Sequence, residues 1–472
     1  MSTLYEQLAD AVAQRILDGQ LQPGERLPSV RQTCTQAQVS PATVFQAYDL
    51  LESRGMIESR PRSGFYVRKP LRRAAAPALA VTPRADSTPV AVSELVFDVL
   101  NSTRDRDVVP LGSAFPSPTL FPLERLARDG ARAMRQLAPQ ALTTELTSGN
   151  ARLREALRAR SVRHGLRVGH QDPIITNGAM EALNLCLQAV TQPGDVVAVE
   201  APTFYAALQA LERLHLRVVE LPTDPQSGVD PDGLAEVIQR HRVAACWLMP
   251  NFQNPLGALM PHARKQAVMR VLNQAGIPVV EDDVYGELHH GSARPLPLKA
   301  FDTEGQVLYC SSFSKCLAPG YRVGWALGGR YSHMVQKLKM MSSLATSVPS
   351  QLALAEYLEE GGYDRHLRQL RKTLATSLAQ LRQWVLQHFP KGTRVSRPAG
   401  GYFLWVQLPD GIDTLRLHQL ALAQGISVAP GALFSADQRF QSALRLNGGH
   451  PQDPRVLEAV KVLGRLISQL TA

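Results

Sequence analysis

The sequence predicts a two-part protein: a small head of three helices and a two-stranded wing, then a large α/β body on a mainly parallel sheet. Three observations carry this. Residues 70–92 hold four prolines, many small residues and no lasting apolar period, the pattern of a linker between a head at 1–69 and a body at 93–472. Ahead of it, apolar residues recur at helical spacing and two short strand-like runs follow. Behind it, strand-like and helix-like segments alternate, which argues for parallel strands with helices on both faces.

In the head, Leu4, Leu8, Ala11, Val12 and Ile16 define the first helix. Pro28-Ser29 opens a short second helix carrying Arg31. Ser40 is a good N-cap and Pro41 fits the first helical position, where its missing N–H costs nothing, so a third helix starts there. Val44, Tyr48 and Leu51 form its apolar face, turning Thr43 and Gln46 outward. Residues 56–59 and 64–67 read as the two wing strands, joined through Arg60-Pro61-Arg62-Ser63.

In the body, strands are expected at 172–176, 195–200, 216–221, 244–249, 278–282 and 307–310. Ligand chemistry in such a sheet belongs at strand ends and the loops that follow.

Composition sets outer limits. Apolar residues make up 44% and charged residues 19% of 472, which excludes a largely disordered, collagen-like or coiled-coil chain. No apolar run approaches a membrane span, and no secretory signal is read. The five scattered cysteines form no Cys-x-x-Cys pair, so neither a disulfide framework nor a thiolate metal site is expected, and the cytoplasm is the natural compartment. A net charge of +10 favours a polyanionic partner without specifying one.

For the head, the arrangement of helix and wing points to double-stranded DNA as the expected polyanion. A capped helix aims its first polar residues and free N–H groups at a groove, beside a wing region, 59–73, with six Arg or Lys and no acid. An isolated helix with Thr43 and Gln46 outward would be only a solvated face; the whole arrangement shifts the reading. Pro-Gly-Glu-Arg-Leu-Pro-Ser-Val-Arg (23–31), Val-Ser-Pro-Ala-Thr-Val (39–44) and Arg-Pro-Arg-Ser-Gly-Phe-Tyr-Val (60–67) resemble the GntR-type winged helix-turn-helix across residues 4–68. The resemblance implies DNA contacts from Arg31, Ser40, Thr43 and the Ser63-Gly64 tip. Arg31 and the wing, with Arg62, would position the domain; Thr43 and Gln46 are better placed to read bases.

Four clusters sit at the body's expected strand ends: Thr176-Asn177-Gly178-Ala179-Met180-Glu181, the turn-rich Pro250–Gly257, Asp282 with Tyr285, and Ser311-Ser-Phe-Ser-Lys315 ahead of Arg322. Each alone has a bland reading: a Gly at a turn, a loop, a paired buried acid, a surface lysine. Together they supply what pyridoxal phosphate needs, a lysine for its imine, an acid for its ring nitrogen, donors for its 3′-oxygen and a phosphate cradle.

Their order and spacing resemble the fold-type I aminotransferases from about Pro110 onward. The resemblance implies that Lys315 carries the imine, Asp282 holds the ring nitrogen, and Tyr285 and Asn254 bond the 3′-oxygen. Gly178, Ala179, Ser312, Ser314 and Arg322 would hold the phosphate, and Phe204 would stack on the ring, with Tyr205 the fallback. Arg445, in Arg445-Leu-Asn447, would take a substrate α-carboxylate, the bidentate partner such a group wants.

Head, linker and body together resemble the MocR family of transcription regulators, which implies a homodimer. One position departs from the family: Thr144 stands where a Tyr, five residues before Gly149, normally reaches the neighbouring subunit's cofactor phosphate. Loss of that contact is expected, the alternative being that Thr144, Glu145 or Thr147 rebuilds it with a different loop shape. Two functions follow: a regulator whose body senses the cofactor or an amino compound, or an active aminotransferase with a tethered DNA-binding head. A degenerate body that binds no cofactor fits less well, because every electronic position is intact.

Overall fold

The computed structural model describes residues 4–17, 21–22, 24–53, 56–60, 63–67, 87–102, 107–137, 139–140, 147–166, 168 and 173–470. Arg62 and Thr144 lie outside the described residues. The chain divides into two compact units, Met1–Arg73 and Ala74–Ala472.

The first unit consists of α1 (Leu4–Leu17), α2 (Val30–Ala37), α3 (Pro41–Ser53) and the antiparallel pair β1 (Ile57–Arg60) and β2 (Gly64–Val67). Ser29 and Gln32 cap α2 reciprocally, each side chain bonding the other's backbone N–H. Ser40 Oγ accepts from Thr43 N at 3.2 Å, the expected cap of α3. Val44, Ala47, Tyr48 and Leu51 of α3 are buried in one cluster with Ala9, Val12, Ile57 and Val67. The helical period thus places one face of α3 in the core and leaves Gln46 exposed. At the wing turn Gly64 has φ +101°, a conformation glycine adopts without strain.

The second unit holds β3 (Thr88–Pro89), β4 (Ile174–Thr176), β5 (Val196–Glu200), β6 (Arg217–Leu221), a hairpin of β7 (Thr223–Asp224) and β8 (Gly228–Val229), β9 (Val243–Leu248), β10 (Val279–Asp282), β11 (Val307–Ser312) and β12 (Gly324–Leu327). Eight of them make one sheet in the order β3-β6-β5-β9-β10-β11-β12-β4. The run from β6 to β11 is parallel, while β3, β12 and β4 pair antiparallel. Residues 88–89, inside the proline-rich stretch, therefore add an edge strand, where Pro89 needs no ladder N–H.

Alternation along the central strands builds two cores. Val197 and Val199, Trp247 and Val280 pack with Leu183, Leu187 and Leu208 on one face. Ala198, Cys246, Leu248 and Val279 pack with Leu234, Val268 and Leu272 on the other. The strand ends therefore emerge between two packed layers.

A smaller antiparallel sheet follows: β13 (Arg394–Val395), β14 (Phe403–Gln407), β15 (Ala429–Pro430) and β16 (Ala443–Asn447), in the order β13-β14-β16-β15. Leu378, Leu381, Leu417, Val460 and Leu463, from three helices, close a core with Leu404 and Leu444. All five cysteines carry free thiols. Among the described residues no helix is long and apolar enough to cross a membrane.

Candidate functional site

Burial dominates the chemistry at the strand ends. Lys315 follows β11; its Nζ donates to the Ala114 carbonyl at 3.0 Å and lies 3.8 Å from the centre of the Phe115 ring. Desolvation, then the Arg445 charge, lowers its pKa to about 7, with Asp282 pulling the other way. A buried lysine tuned this way is a free amine, hence a nucleophile, near neutrality.

Asp282 ends β10 and is almost wholly buried. Burial pushes its carboxyl up to about 7, and Val284 N donates weakly to Oδ1 at 3.4 Å. A protonated ring nitrogen is the kind of cation that would return it to the ionised form. Tyr285, three residues on, is buried with its ring edge-on to Tyr402 and Phe403, both at 5.7 Å.

Arg445 lies on β16, fully buried, with its guanidinium 4.2 Å from the centre of the Phe403 ring. Nη1 donates to Asn254 Oδ1 at 3.0 Å, and Nη2 donates to the carbonyls of Gly112 at 2.9 Å and Ser113 at 3.2 Å. Asn254 Nδ2 is buried without a partner among the described residues. Such an orphan donor costs on the order of 1–3 kcal/mol unless a ligand meets it. It is the right group, in the right surroundings, for an anionic 3′-oxygen.

The phosphate cradle has its own geometry. Gly178 caps the Ala179–Val190 helix at φ +81°, and a Cβ there would collide with the Arg322 guanidinium. Arg322 Nη1 donates to Ser314 Oγ at 3.2 Å and Nη2 to the Asn177 carbonyl at 3.3 Å. Ser314 N donates to Ser312 Oγ at 3.3 Å. A helix N-terminus, two hydroxyls and a guanidinium together fit a phosphate dianion.

Phe204 is half-buried at the start of the Tyr205–Arg213 helix, whereas Tyr205 is buried against Phe434 with ring centres 5.7 Å apart. This favours Phe204 over Tyr205 as the ring-stacking side chain. Ala179, the first residue of its helix, offers a backbone N–H beside Gly178.

Sequence reasoning missed the segment around Ala114, whose carbonyl also accepts from Tyr402 Oη at 3.0 Å. It also missed Glu200, buried at the end of β5, which accepts from Met249 N at 2.8 Å and is raised to about 8 by burial. An acid closing an apolar strand run was the available signal for Glu200; for Ala114 there was none.

In the first unit, Arg31 and Gln46 are exposed, Thr43 is half-exposed, and Ser40 Oγ lies 2.9 Å from Thr43 Oγ1. Ser63 and Gly64 form the wing turn, with Ser63 Oγ 2.6 Å from Tyr66 Oη.

These two units define a class: a winged helix-turn-helix joined to an aminotransferase fold. Residues 107–463 match the family Aminotransferase class I and II, and residues 4–67 match Bacterial regulatory proteins, gntR family. The HTH-type transcriptional regulator YdcR of Escherichia coli strain K12 is 44% identical over 98% of this chain and 99% of its own. Kynurenine aminotransferase of Pyrococcus horikoshii superposes with a TM-score of 0.75 at 32% identity, over 80% of this chain and 95% of that one. LysN, the α-aminoadipate aminotransferase of Thermus thermophilus, superposes with a TM-score of 0.73 at 30% identity, over 81% and 96%. The chain belongs to the MocR-type family of HTH transcriptional regulators, in which a GntR head is fused to an aminotransferase class I and II domain. That domain type indicates pyridoxal phosphate as the cofactor.

Proposed function

We propose that this chain regulates transcription by binding DNA through Met1–Arg73 while its body, loaded with pyridoxal phosphate on Lys315, senses an amino compound. The observation that carries this is the set Lys315, Asp282, Asn254, Arg445 and the Gly178–Arg322 cradle, all complete within one unit of a chain that also bears a DNA-binding head. Bound there, pyridoxal phosphate supplies an electrophilic carbonyl and an electron-withdrawing ring.

The chain's own residues do the rest. Lys315 offers an amine that burial keeps readily neutral; with the cofactor bound, Asp282 would hold a proton on the ring nitrogen, and Asn254 Nδ2 and Tyr285 Oη would hydrogen-bond the 3′-oxygen. Arg445 receives the carboxylate of the amino compound in place of the Gly112 and Ser113 carbonyls it now holds. A ligand that exchanges those contacts has different affinities for two states of the body, which is the requirement for a regulatory signal.

Residues 70–92 serve as the linker between 1–69 and 93–472, apart from the short edge strand at 88–89. A homodimer is supported by the exposed apolar side chains Met340, Met341 and Leu344 around the end of the Ser332–Ser342 helix. A cytoplasmic setting suits free thiols and DNA. Aminotransferase turnover is the second reading, favoured by the intact Arg445–Asn254 pair.

The purified protein is expected to be yellow, and borohydride to fix the cofactor's mass on Lys315. A colourless protein that gains no mass at Lys315 after incubation with pyridoxal phosphate and reduction would refute the body's role. DNA protection that stays the same with and without every amino acid tried, alongside steady amino-group transfer, would favour the enzyme.

A further inference from the structure

The first turn of the Ala179–Val190 helix carries an acid beside the place where an anion is expected. Glu181, in the first turn of that helix, accepts with Oε2 from Asn177 N and, at 3.1 Å, from Asn177 Nδ2. These bonds pin the turn whose Asn177 carbonyl also holds Arg322. The same carboxylate carries a negative charge close to the cradle, and like charges at short range disfavour each other.

Lys339 resolves the conflict. It lies on the Ser332–Ser342 helix, fully buried, and its Nζ donates to Glu181 Oε2 at 3.2 Å, Ser343 Oγ at 3.0 Å and Thr346 Oγ1 at 3.3 Å. All three ammonium protons therefore have acceptors, which a buried charge requires. The relay Lys339–Glu181–Asn177–Arg322–Ser314 runs from the core of one helix to the cradle, with every link a hydrogen bond.

We propose that Lys339 is a positioning residue for the cofactor phosphate: it neutralises Glu181 and holds it on Asn177, so the 177–179 turn can receive a dianion. This rests on reading Gly178, Ser312, Ser314 and Arg322 as the cradle. Lys339 Nζ bonds Glu181, Ser343 and Thr346 and reaches the cradle only through Glu181, so its effect is expected at the phosphate end.

The test compares two aldehydes that differ only in the phosphate. Full-length protein stripped of cofactor is titrated with pyridoxal phosphate and with pyridoxal, following the visible band and the borohydride-fixed mass on Lys315. Lys339→Met is expected to weaken pyridoxal phosphate roughly tenfold or more, because the uncompensated Glu181 charge then opposes the phosphate, and to leave pyridoxal essentially unchanged. Lys339→Gln provides the same comparison should the methionine variant fail to fold. The double variant K339M/E181Q should recover most of the loss, because no unpaired carboxylate remains. Equal weakening of both aldehydes, or none of either, overturns the proposal. Arg322→Gln separates the two layers: if it leaves the preference for the phosphorylated aldehyde intact, the cradle reading fails. If it abolishes that preference and Lys339→Met does not, only the Lys339 proposal fails.

Discussion

Arg445 and Asn254 meet in the buried centre of the site, Nη1 donating to Oδ1 at 3.0 Å, while Arg445 Nε and Asn254 Nδ2 have no partner among the described residues. Both buried donors are open to acceptors that a bound ligand would bring. Arg445→Met should therefore abolish spectral changes caused by α-amino acids and spare those caused by the corresponding amines lacking a carboxylate. Parallel titrations of the loaded protein with such a pair read this directly. Equal loss for both members would assign Arg445 to the fold alone.

The Lys315 amine provides a pH dependence with a definite sign. A lysine attacks an aldehyde only when neutral, and burial lowers its pKa to about 7 from 10.5. Attachment of pyridoxal phosphate to the cofactor-free protein should accelerate with rising pH around a midpoint near 7 and level off above about 8. Asp282 opposes the lowering, so Asp282→Ala should move the midpoint to still lower pH. Stopped-flow absorbance across pH 5–10 measures both. A midpoint near 10 would mean that Lys315 is solvated.

Local signals were legible and long-range ones were not. The caps at Ser29 and Ser40 and the apolar face Val44-Tyr48-Leu51 are readable because neighbours in sequence make them. Gly178, Asp282 and Lys315 stand at or just past the ends of apolar strand runs, which makes their positions readable, while their expected roles came from the four clusters taken together and the resemblance they carry. Strand ends are set by partners instead: β11 continues to Ser312 because Ser311 and Ser312 pair with Trp325 and Gly324. Thr88 and Pro89 looked like linker because their pairing with Val218 and Arg217 spans about 130 residues. The contact between Lys339 and Glu181, 158 residues apart, was invisible for the same reason.

On DNA, the exposed side of α3 and the exposed Arg31 should behave differently. Thr43→Ala and Gln46→Ala are expected to change which bases are preferred, each by about 1–3 kcal/mol at the affected position. Arg31→Ala should weaken all sequences alike and reduce the slope of log affinity against log salt by roughly one. Selection from randomised duplexes, followed by salt titration, distinguishes the two. A dimer would add a second related half-site to the selected sequences. Uniform loss from all three variants would remove base reading from α3.

Stability of the head should hinge on one hydroxyl. Tyr48 is buried in the core of Met1–Arg73, its Oη 2.8 Å from Thr33 Oγ1 and donating to the Pro28 carbonyl at 3.0 Å. Thr33 is itself buried, so one phenol ties α2, α3 and the turn before α2 together. Tyr48→Phe keeps the ring, its edge-on contact with Phe65 at 5.0 Å and its apolar burial, and removes only these bonds. It leaves the Thr33 hydroxyl and the Pro28 carbonyl short of a partner, at a cost of about 1–3 kcal/mol. In a unit of this size that lowers the melting temperature by roughly 4–24 °C. DNA binding should fail at correspondingly lower temperature, while the visible cofactor band, which reports the other unit, keeps its melting point. Loss of both signals together would mean that the two units unfold as one.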